Sequence, residues 1–229
     1  LIGTCAEARI PLEYFFISKR VILGFFLTYM HRKGLVIPFL DDFTKEAYEG
    51  AYIKMNPKVY YDVVSLDAKA WYPSILRSCN ISPETKVRSK TKPLGNFSKS
   101  VIEDVWYDND KLGIIPEIVA FIVDGRDEFK KLQKKYSNPE SPEYNKDLSE
   151  YYKRKQNAYK IFANSVYGLL GNNHFQFYDV DNAASITGIG NKAIQHVISY
   201  VCKWIDLKLP TDEKFKNEFG EYANVTIVG

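Results

Sequence analysis

Asp67 is the first residue of this sequence whose position suggests chemistry. It ends a run of β-branched and aromatic residues that predicts a buried strand over residues 58–67. A helix is predicted to begin at about Tyr72, with Pro73 in its first turn. A carboxylate held by a strand end and open to solvent is well placed to bind a divalent cation. Capping of the next helix is the common alternative. Asp62 would point to the opposite face of the strand, so it is a poor partner.

A second polar group lies on a helix predicted over residues 142–170. Lys160, Asn164 and Tyr167 are spaced by four and three residues, which places them within about 60° on one helix face. That surface could bind an anion, a base or a sugar, and a solvated polar face is the alternative. Gly168 lies inside the same helix, where glycine costs about 1 kcal/mol relative to alanine. Its presence indicates tight packing or the close approach of another group.

Two further cations, Arg126 and Lys130, are four residues apart on a helix predicted over residues 116–136. Two solvated surface cations are the default interpretation of such a pair. The polar segment SNPESPE, however, joins the two predicted helices into an antiparallel hairpin. Lys160 would then face them from the second helix, so three cations could surround one polyanion.

The remaining elements indicate an α+β fold. Strands separated by a long helical insertion predict a sheet assembled from distant parts of the chain. The other predicted elements are a helix over residues 11–32, a short hairpin over residues 101–114 with Asn109 and Asp110 in its turn, a helix over residues 182–205, and a strand in the final EYANVTIVG.

The amino-acid composition is compatible with several functions and does not distinguish among them. The chain has 229 residues with 45% hydrophobic and 26% charged residues, which is ordinary for a soluble globular protein. A net charge of +3 permits contact with phosphates but does not demand it. Aromatic residues make up 15%, which suits either a thick core or platforms for stacking bases.

Zinc sites, disulfides and membrane spans are disfavoured. The cysteines Cys5, Cys79 and Cys202 form no CxxC pair, and the three histidines are scattered. Reduced thiols in a cytosolic protein are therefore expected. No apolar run is long enough to cross a membrane.

Several segments resemble family B DNA polymerases. DAKAWYPSIL at 67–76 resembles motif A of that family, whose usual form is DxxSLYPSII, and KIFANSVYG at 160–168 resembles motif B, KxxxNSxYG. GRDEFK at 125–130 resembles the RxxxK of the first fingers helix, and NISPETKV at 80–87 is similar to polymerases of large tailed phages. The order and separation of these motifs agree with the family.

The sequence also departs from the family pattern. Ala70 and Trp71 replace the usual Ser and Leu of motif A, from which we expect a repacked neighbourhood around an intact carboxylate. Trp71 could also push Tyr72 out of place. The final ANVTIVG resembles the strand that leads into motif C, usually YGDTDS, with Gly229 as the glycine before its first aspartate. We therefore expect a catalytic core that lacks motif C and the thumb.

The resemblance implies transfer of a nucleotidyl group from a deoxynucleoside triphosphate to a primer 3′-hydroxyl, with two divalent ions, typically Mg²⁺. Asp67 and the carbonyl of Ala68 would bind metal, and a second carboxylate would come from motif C. The other implied roles are catalysis and triphosphate binding by Lys160, triphosphate binding by Arg126 and Lys130, nucleotide placement by Asn164, contact near the nascent base pair by Tyr167, and exclusion of a 2′-hydroxyl by Tyr72.

The resemblance also implies an architecture. It is a palm, an antiparallel ferredoxin-like sheet with helices, into which an antiparallel helical hairpin, the fingers, is inserted. Residues 1–50 would be a connecting segment after an exonuclease or N-terminal region. Residues 51–113 would form the first part of the palm, 114–171 the fingers, and 172–229 the second part of the palm.

The implied partners are primer–template DNA, deoxynucleoside triphosphates and the rest of a polymerase, in the same chain or a second one, with a sliding clamp as a further candidate and no membrane. The implied location is cytoplasmic, as a viral protein in its host cell. Three explanations of the missing motif C stay open: a partial sequence, a split polymerase or an intein-interrupted gene. A non-catalytic nucleic-acid-binding remnant is the alternative function, against which the intact Asp67, Lys160 and Asn164 count.

Overall fold

The computed structural model describes residues 2–14, 18–37, 46–53 and 67–208. Two predicted strands lie outside these residues: residues 58–66, which precede Asp67, and the final EYANVTIVG. Within the described ranges, the chain forms a mixed fold of long helices and one small antiparallel sheet. The α-helices are α1 (Ile2–Ala8), α2 (Ser18–Arg32), α3 (Trp71–Ser78), α4 (Ile114–Ser137), α5 (Lys146–Leu170) and α6 (Val180–Lys208), and the strands are β1 (Lys86–Arg88), β2 (Phe97–Lys99) and β3 (Val105–Asp108).

The small sheet corrects the predicted hairpin of residues 101–114. Its strand order is β1-β3-β2, so β3 is central and pairs antiparallel with two strands that both precede it. Asn109 and Asp110 do not turn the chain back but lead from β3 into α4. The Asn109 amide donates to the carbonyl of Asn96, and its side chain donates to Ser98 Oγ. The prediction was wrong because a polar Asn-Asp pair marks a strand end, whichever element follows.

Two helices begin later in the chain than predicted. The helix predicted over residues 11–32 is instead a 3₁₀ turn at Leu12–Tyr14 and an α-helix that begins at Ser18. The second hairpin helix begins at Lys146 rather than at Pro142, because the Asn145 side chain accepts a hydrogen bond from the Leu148 amide and caps it.

Helices α4 and α5 pack as an antiparallel hairpin with an aromatic seam. Tyr136 stacks on Tyr152, and Phe129 meets Tyr159 edge to face with ring centroids 5.0 Å apart. A Cβ on Gly125 would lie 2.9 Å from Tyr159 Cε1, so glycine permits the closest approach of the helices. The seam fixes the relative register of α4 and α5.

The N-terminal helices cover the base of this hairpin. The Phe25 ring packs against that of Phe162 at 4.8 Å. Lys33 Nζ pairs with Glu117 of α4 at 2.9 Å, and Lys155 of α5 pairs with Glu7 at 2.7 Å. Helices α1 and α2, together with Lys33, are thus packed against the hairpin by apolar contacts and ion pairs.

The small sheet is joined to α6 by polar contacts. Lys86 Nζ of β1 pairs with Asp179 at 2.6 Å and with Asp181 at 3.0 Å. The buried Tyr107 hydroxyl of β3 hydrogen-bonds to Asn182 and Ser185. Burial raises the pKa of Tyr107 well above its usual value, so it stays a neutral donor. None of the helices in the described part of the chain is both long and apolar enough to span a membrane.

Candidate active site

Asp67 lies at the start of an exposed turn that leads into α3. The residue preceding α3 is Ala70, in the left-handed conformation with φ 52°, and α3 has no side-chain cap. Asp67 therefore does not cap that helix, which removes the structural alternative. No hydrogen bond or ion pair joins the Asp67 carboxylate to another described residue. Among the described residues, none therefore competes with a ligand from solution for its oxygens.

Two ion pairs connect this turn and α3 to α4. Lys69 Nζ lies 2.7 Å from Asp127 Oδ2, and Arg77 Nη1 lies 3.4 Å from Asp124 Oδ1. The hydrogen bond from Lys69 lowers the pKa of Asp127, with help from the nearby charges of Lys130 and Arg126. The residues after Asp67 are thereby held close to the helix that carries the predicted phosphate-binding cations.

Tyr72 and Tyr167 form the direct contact between the motif A segment and the motif B segment. Their rings are stacked with centroids 4.3 Å apart and planes inclined by 23°. Trp71 and Tyr72 both approach α6, where a Cβ on Gly190 would lie 3.1 Å from Trp71 Nε1 and 3.5 Å from Tyr72 Cε1. With Trp71 in this position, Tyr72 is still stacked on Tyr167.

Tyr48 and Thr187 complete the surroundings of Tyr167. Burial raises the pKa of Tyr167 well above its usual value, and a hydrogen bond with Tyr48 raises it further, while one with Thr187 opposes the shift. Thr187 is buried in α6, and its hydroxyl donates to the carbonyl of Glu49 at 3.0 Å. Sequence reasoning missed both residues, because neither lies in a motif or in a periodic pattern that points to this site.

The predicted cations lie on facing helices. Arg126 follows Gly125, and Lys160 follows Tyr159, so each is next to the pair at the closest helix–helix contact. Arg126 is half-buried and its buried Nε has no hydrogen-bond partner among the described residues. Lys130 and Lys160 are exposed, and within the described ranges neither forms an ion pair. These positive charges are available to an anion.

Asn164 and Gly168 extend the same surface along α5. Both are exposed, one turn apart, on the helix face that carries Lys160. No described atom lies within 4 Å of a Cβ built on Gly168. Outside its own stretch of α5, the described residues thus supply no packing neighbour for this glycine.

The residues at Asp67 fit a divalent metal ion. Hard cations such as Mg²⁺ prefer carboxylate and carbonyl oxygens, and the exposed Asp67 and Ala68 offer both. In the part of the chain that the structure describes, no three His, Cys, Asp or Glu residues cluster as a metal site. A carboxylate, a stacked aromatic pair and the cations of α4 and α5 together suit a ligand that combines phosphates with planar rings.

Comparison with known proteins identifies the family. The sequence model of DNA polymerase family B matches residues 14–228. The chain therefore belongs to the family B DNA polymerases, as its motifs indicated.

Relatives come from bacteria, phages and archaea. DNA polymerase II of Escherichia coli (strain K12) is 35% identical over 167 residues, which cover 72% of this chain and 19% of that protein. The DNA-directed DNA polymerase of Enterobacteria phage T4 is 28% identical over 236 residues, covering 78% and 26%. The structure of the family B DNA polymerase from Pyrobaculum calidifontis matches 81% of this chain and 24% of its own, with a TM-score of 0.66 and 28% identity. The chain thus spans less than a third of each of these proteins.

Proposed function

We propose that this chain forms the nucleotide-binding part of a DNA polymerase catalytic centre, which transfers a nucleotidyl group from a deoxynucleoside triphosphate to a primer 3′-hydroxyl on a DNA template. The observation that carries the proposal is the stack of Tyr72 on Tyr167 at 4.3 Å. It brings the motif A segment, which carries Asp67, against the motif B helix, which carries Lys160. Because the chain belongs to the family B DNA polymerases, we interpret this arrangement as a nucleotide-binding site.

Arg126, Lys130 and Lys160 are proposed to bind the triphosphate. Negative charge grows on the leaving pyrophosphate as the new bond forms. Cations already fixed beside it stabilise this charge and so lower the activation barrier of nucleotidyl transfer. The exposure of Lys130 and Lys160 and the unpartnered Nε of Arg126 within the described ranges support this role. Lys160 is also proposed to be catalytic, because motif B begins with this lysine.

Asp67 and the Ala68 carbonyl would hold divalent metal, with Mg²⁺ as the expected ion. When bound, such ions would supply Lewis-acid activation of the attacking hydroxyl and charge stabilisation of the leaving oxygen. One carboxylate neither neutralises nor positions two dications, so a second is needed from motif C. The printed sequence contains no DTDS segment, so a polypeptide of these 229 residues should not extend a primer by itself.

Tyr72, Asn164 and Tyr167 are proposed to position the nucleotide. Tyr72 is stacked on the Tyr167 ring, so the 2′-hydroxyl of a ribose placed beside it would collide with the Tyr72 ring. Asn164 would orient the incoming nucleotide. Tyr167 would lie near the nascent base pair, and its raised pKa supports a neutral hydroxyl there.

The proposed domain organisation follows these roles. Helices α4 and α5, with residues 114–171, would be the fingers, and residues 51–113 and 172–229 would be two parts of the palm. Residues 1–50 would connect the palm to an exonuclease or N-terminal region. Partners would be primer–template DNA, deoxynucleoside triphosphates and the rest of the polymerase, with a sliding clamp as a further candidate. A cytoplasmic viral protein is the proposed setting, which the phage relatives support.

Primer extension with the complete polymerase tests this function. A labelled primer–template, Mg²⁺ and the single complementary deoxynucleotide should give addition of one nucleotide. The 229-residue polypeptide alone should give none, and activity should return when a second chain supplies the DTDS segment and the thumb. Extension by the lone polypeptide would refute the two-carboxylate account, and failure of the complete protein would refute the function.

A further inference from the structure

Two ion pairs hold α4 against the motif A segment on the side where the predicted cations lie. Asp124 and Asp127 are three residues apart on α4, and so lie on one face. Their partners are Arg77, near the end of α3, and Lys69, in the turn before it. The Lys69–Asp127 pair is the closer, at 2.7 Å against 3.4 Å.

The closer pair connects the two halves of the proposed site. Lys69 is two residues from Asp67, the proposed metal ligand. Asp127 lies between Arg126 and Lys130, the proposed triphosphate ligands on α4, and the charges of both lower its pKa. A displacement at this contact would change the distance from the cations to the carboxylate.

We propose that Lys69 and Asp127 act together as positioning residues, which hold Arg126 and Lys130 of α4 at the correct distance from Asp67 for a bound triphosphate. This inference rests on the proposed nucleotidyl transfer. Both side chains are partly exposed, with 64% and 38% of their area accessible, so water and salt weaken the contact. The expected effect of breaking it is therefore moderate, up to about fivefold.

A simpler electrostatic role for Asp127 predicts the opposite change in nucleotide binding when its charge is removed. As a lone negative charge beside two phosphate-binding cations, Asp127 would repel a triphosphate, and removing its charge would improve nucleotide binding. As a positioning residue it favours binding indirectly, and removing its charge would weaken nucleotide binding. The direction of the change in KM for the nucleotide therefore separates the two roles.

The test uses the complete polymerase with Lys69→Met, Asp127→Asn and the double variant. Glu128→Gln and Lys131→Met are matched controls, because these exposed neighbours on α4 form no ion pair within the described ranges. In single-nucleotide incorporation, we expect each single variant to raise KM about three- to fivefold and to change kcat less than twofold. The double variant should match the single variants, and the controls should match the wild type.

Hydrogen exchange of the nucleotide-free protein gives a readout that does not need activity. Amide exchange in α4 near residues 124–130 should be severalfold faster in all three test variants and unchanged in the controls. A lower KM for Asp127→Asn, additive effects in the double variant, or unchanged exchange would each overturn the proposal. If the wild-type polymerase incorporates no nucleotide, the proposed function fails, while exchange still decides whether the pair holds α4.

Discussion

The Tyr72 ring stacks on the Tyr167 ring at 4.3 Å, although one residue lies in the first turn of α3 and the other near the end of α5. Tyr48 and Thr187 hold Tyr167 from two further segments. Four parts of the chain thus meet at one aromatic pair. The geometry of this pair should determine which sugars and bases the site accepts.

Removing the Tyr72 ring should admit ribonucleotides. The 2′-hydroxyl of a ribose would collide with the ring, and overpacking of this kind costs about 1–3 kcal/mol. Tyr72→Ala in the complete polymerase should therefore raise incorporation of ribonucleotides relative to deoxynucleotides by about ten- to a hundredfold. Tyr72→Phe keeps the ring and should preserve the wild-type ratio. An unchanged ratio in Tyr72→Ala would place the discrimination elsewhere.

Lys160 should act on the triphosphate and not on the template. Loss of one charge-assisted contact to a developing anion costs on the order of 2–4 kcal/mol. Lys160→Ala should therefore lower the single-turnover rate of incorporation about a hundredfold, with little change in primer–template affinity. Arg154→Ala removes an exposed cation from the same helix and is the control. Weakened DNA binding with normal incorporation from the bound complex would show that the assignment is wrong.

Two glycines of the hairpin should respond to alanine in opposite ways. Gly168 is exposed, and no described atom lies within 4 Å of the place that an alanine Cβ would occupy, so alanine should stabilise the helix by about 0.5–1 kcal/mol. A nucleotide or DNA strand that approaches Gly168 closely would meet this methyl group, so DNA synthesis should fall despite the gain in stability.

Gly125 provides the contrast. A Cβ there would lie 2.9 Å from Tyr159, so Gly125→Ala should force α4 and α5 apart and cost about 1–3 kcal/mol. Thermal unfolding and primer extension of both variants check these outcomes. Full activity in Gly168→Ala would show that no ligand approaches that glycine.

Tyr159 should make the fold sensitive to alkaline pH. The pKa of Tyr159 is raised from 10.0 to about 12. Burial is the main cause, and the negative charge of Glu7 is the second. Because the folded-state pKa is raised, its stabilising contribution is complete below pH 10 and is lost as pH rises from about 10 to 12.

Melting temperatures measured between pH 9 and 12 test this dependence. The wild type should lose more stability over that range than Tyr159→Phe, which has no phenol to ionise. Tyr144→Phe removes an exposed phenol and should follow the wild type. Parallel curves for the wild type and Tyr159→Phe would contradict the assignment.

Local patterns predicted the helices well. Pro73 placed the start of α3, and the apolar spacing of residues 116–136 placed α4 to within a few residues. The family was also evident from motif A and motif B, because each places several functional residues at fixed spacing within a short segment.

Long-range contacts left no such signal. The central position of β3 depends on pairing with two earlier strands, and nothing within 101–114 specifies that. The Lys69–Asp127 ion pair and the contacts of Tyr48 and Thr187 with Tyr167 join residues far apart in sequence. Such pairs follow from how the elements pack, which hydrophobic periodicity does not define.

The role of Asp67 is the central claim, and single-turnover incorporation by Asp67→Asn in the complete polymerase tests it most directly. Asparagine keeps the shape of the side chain but removes the charge that a divalent ion requires. With saturating primer–template, nucleotide and Mg²⁺, the rate should fall by roughly a thousandfold, as the loss of several kcal/mol of metal-dependent stabilisation implies. Asp110→Asn, another exposed carboxylate, should leave the rate unchanged. Incorporation by Asp67→Asn at a rate within tenfold of the wild type would contradict the account.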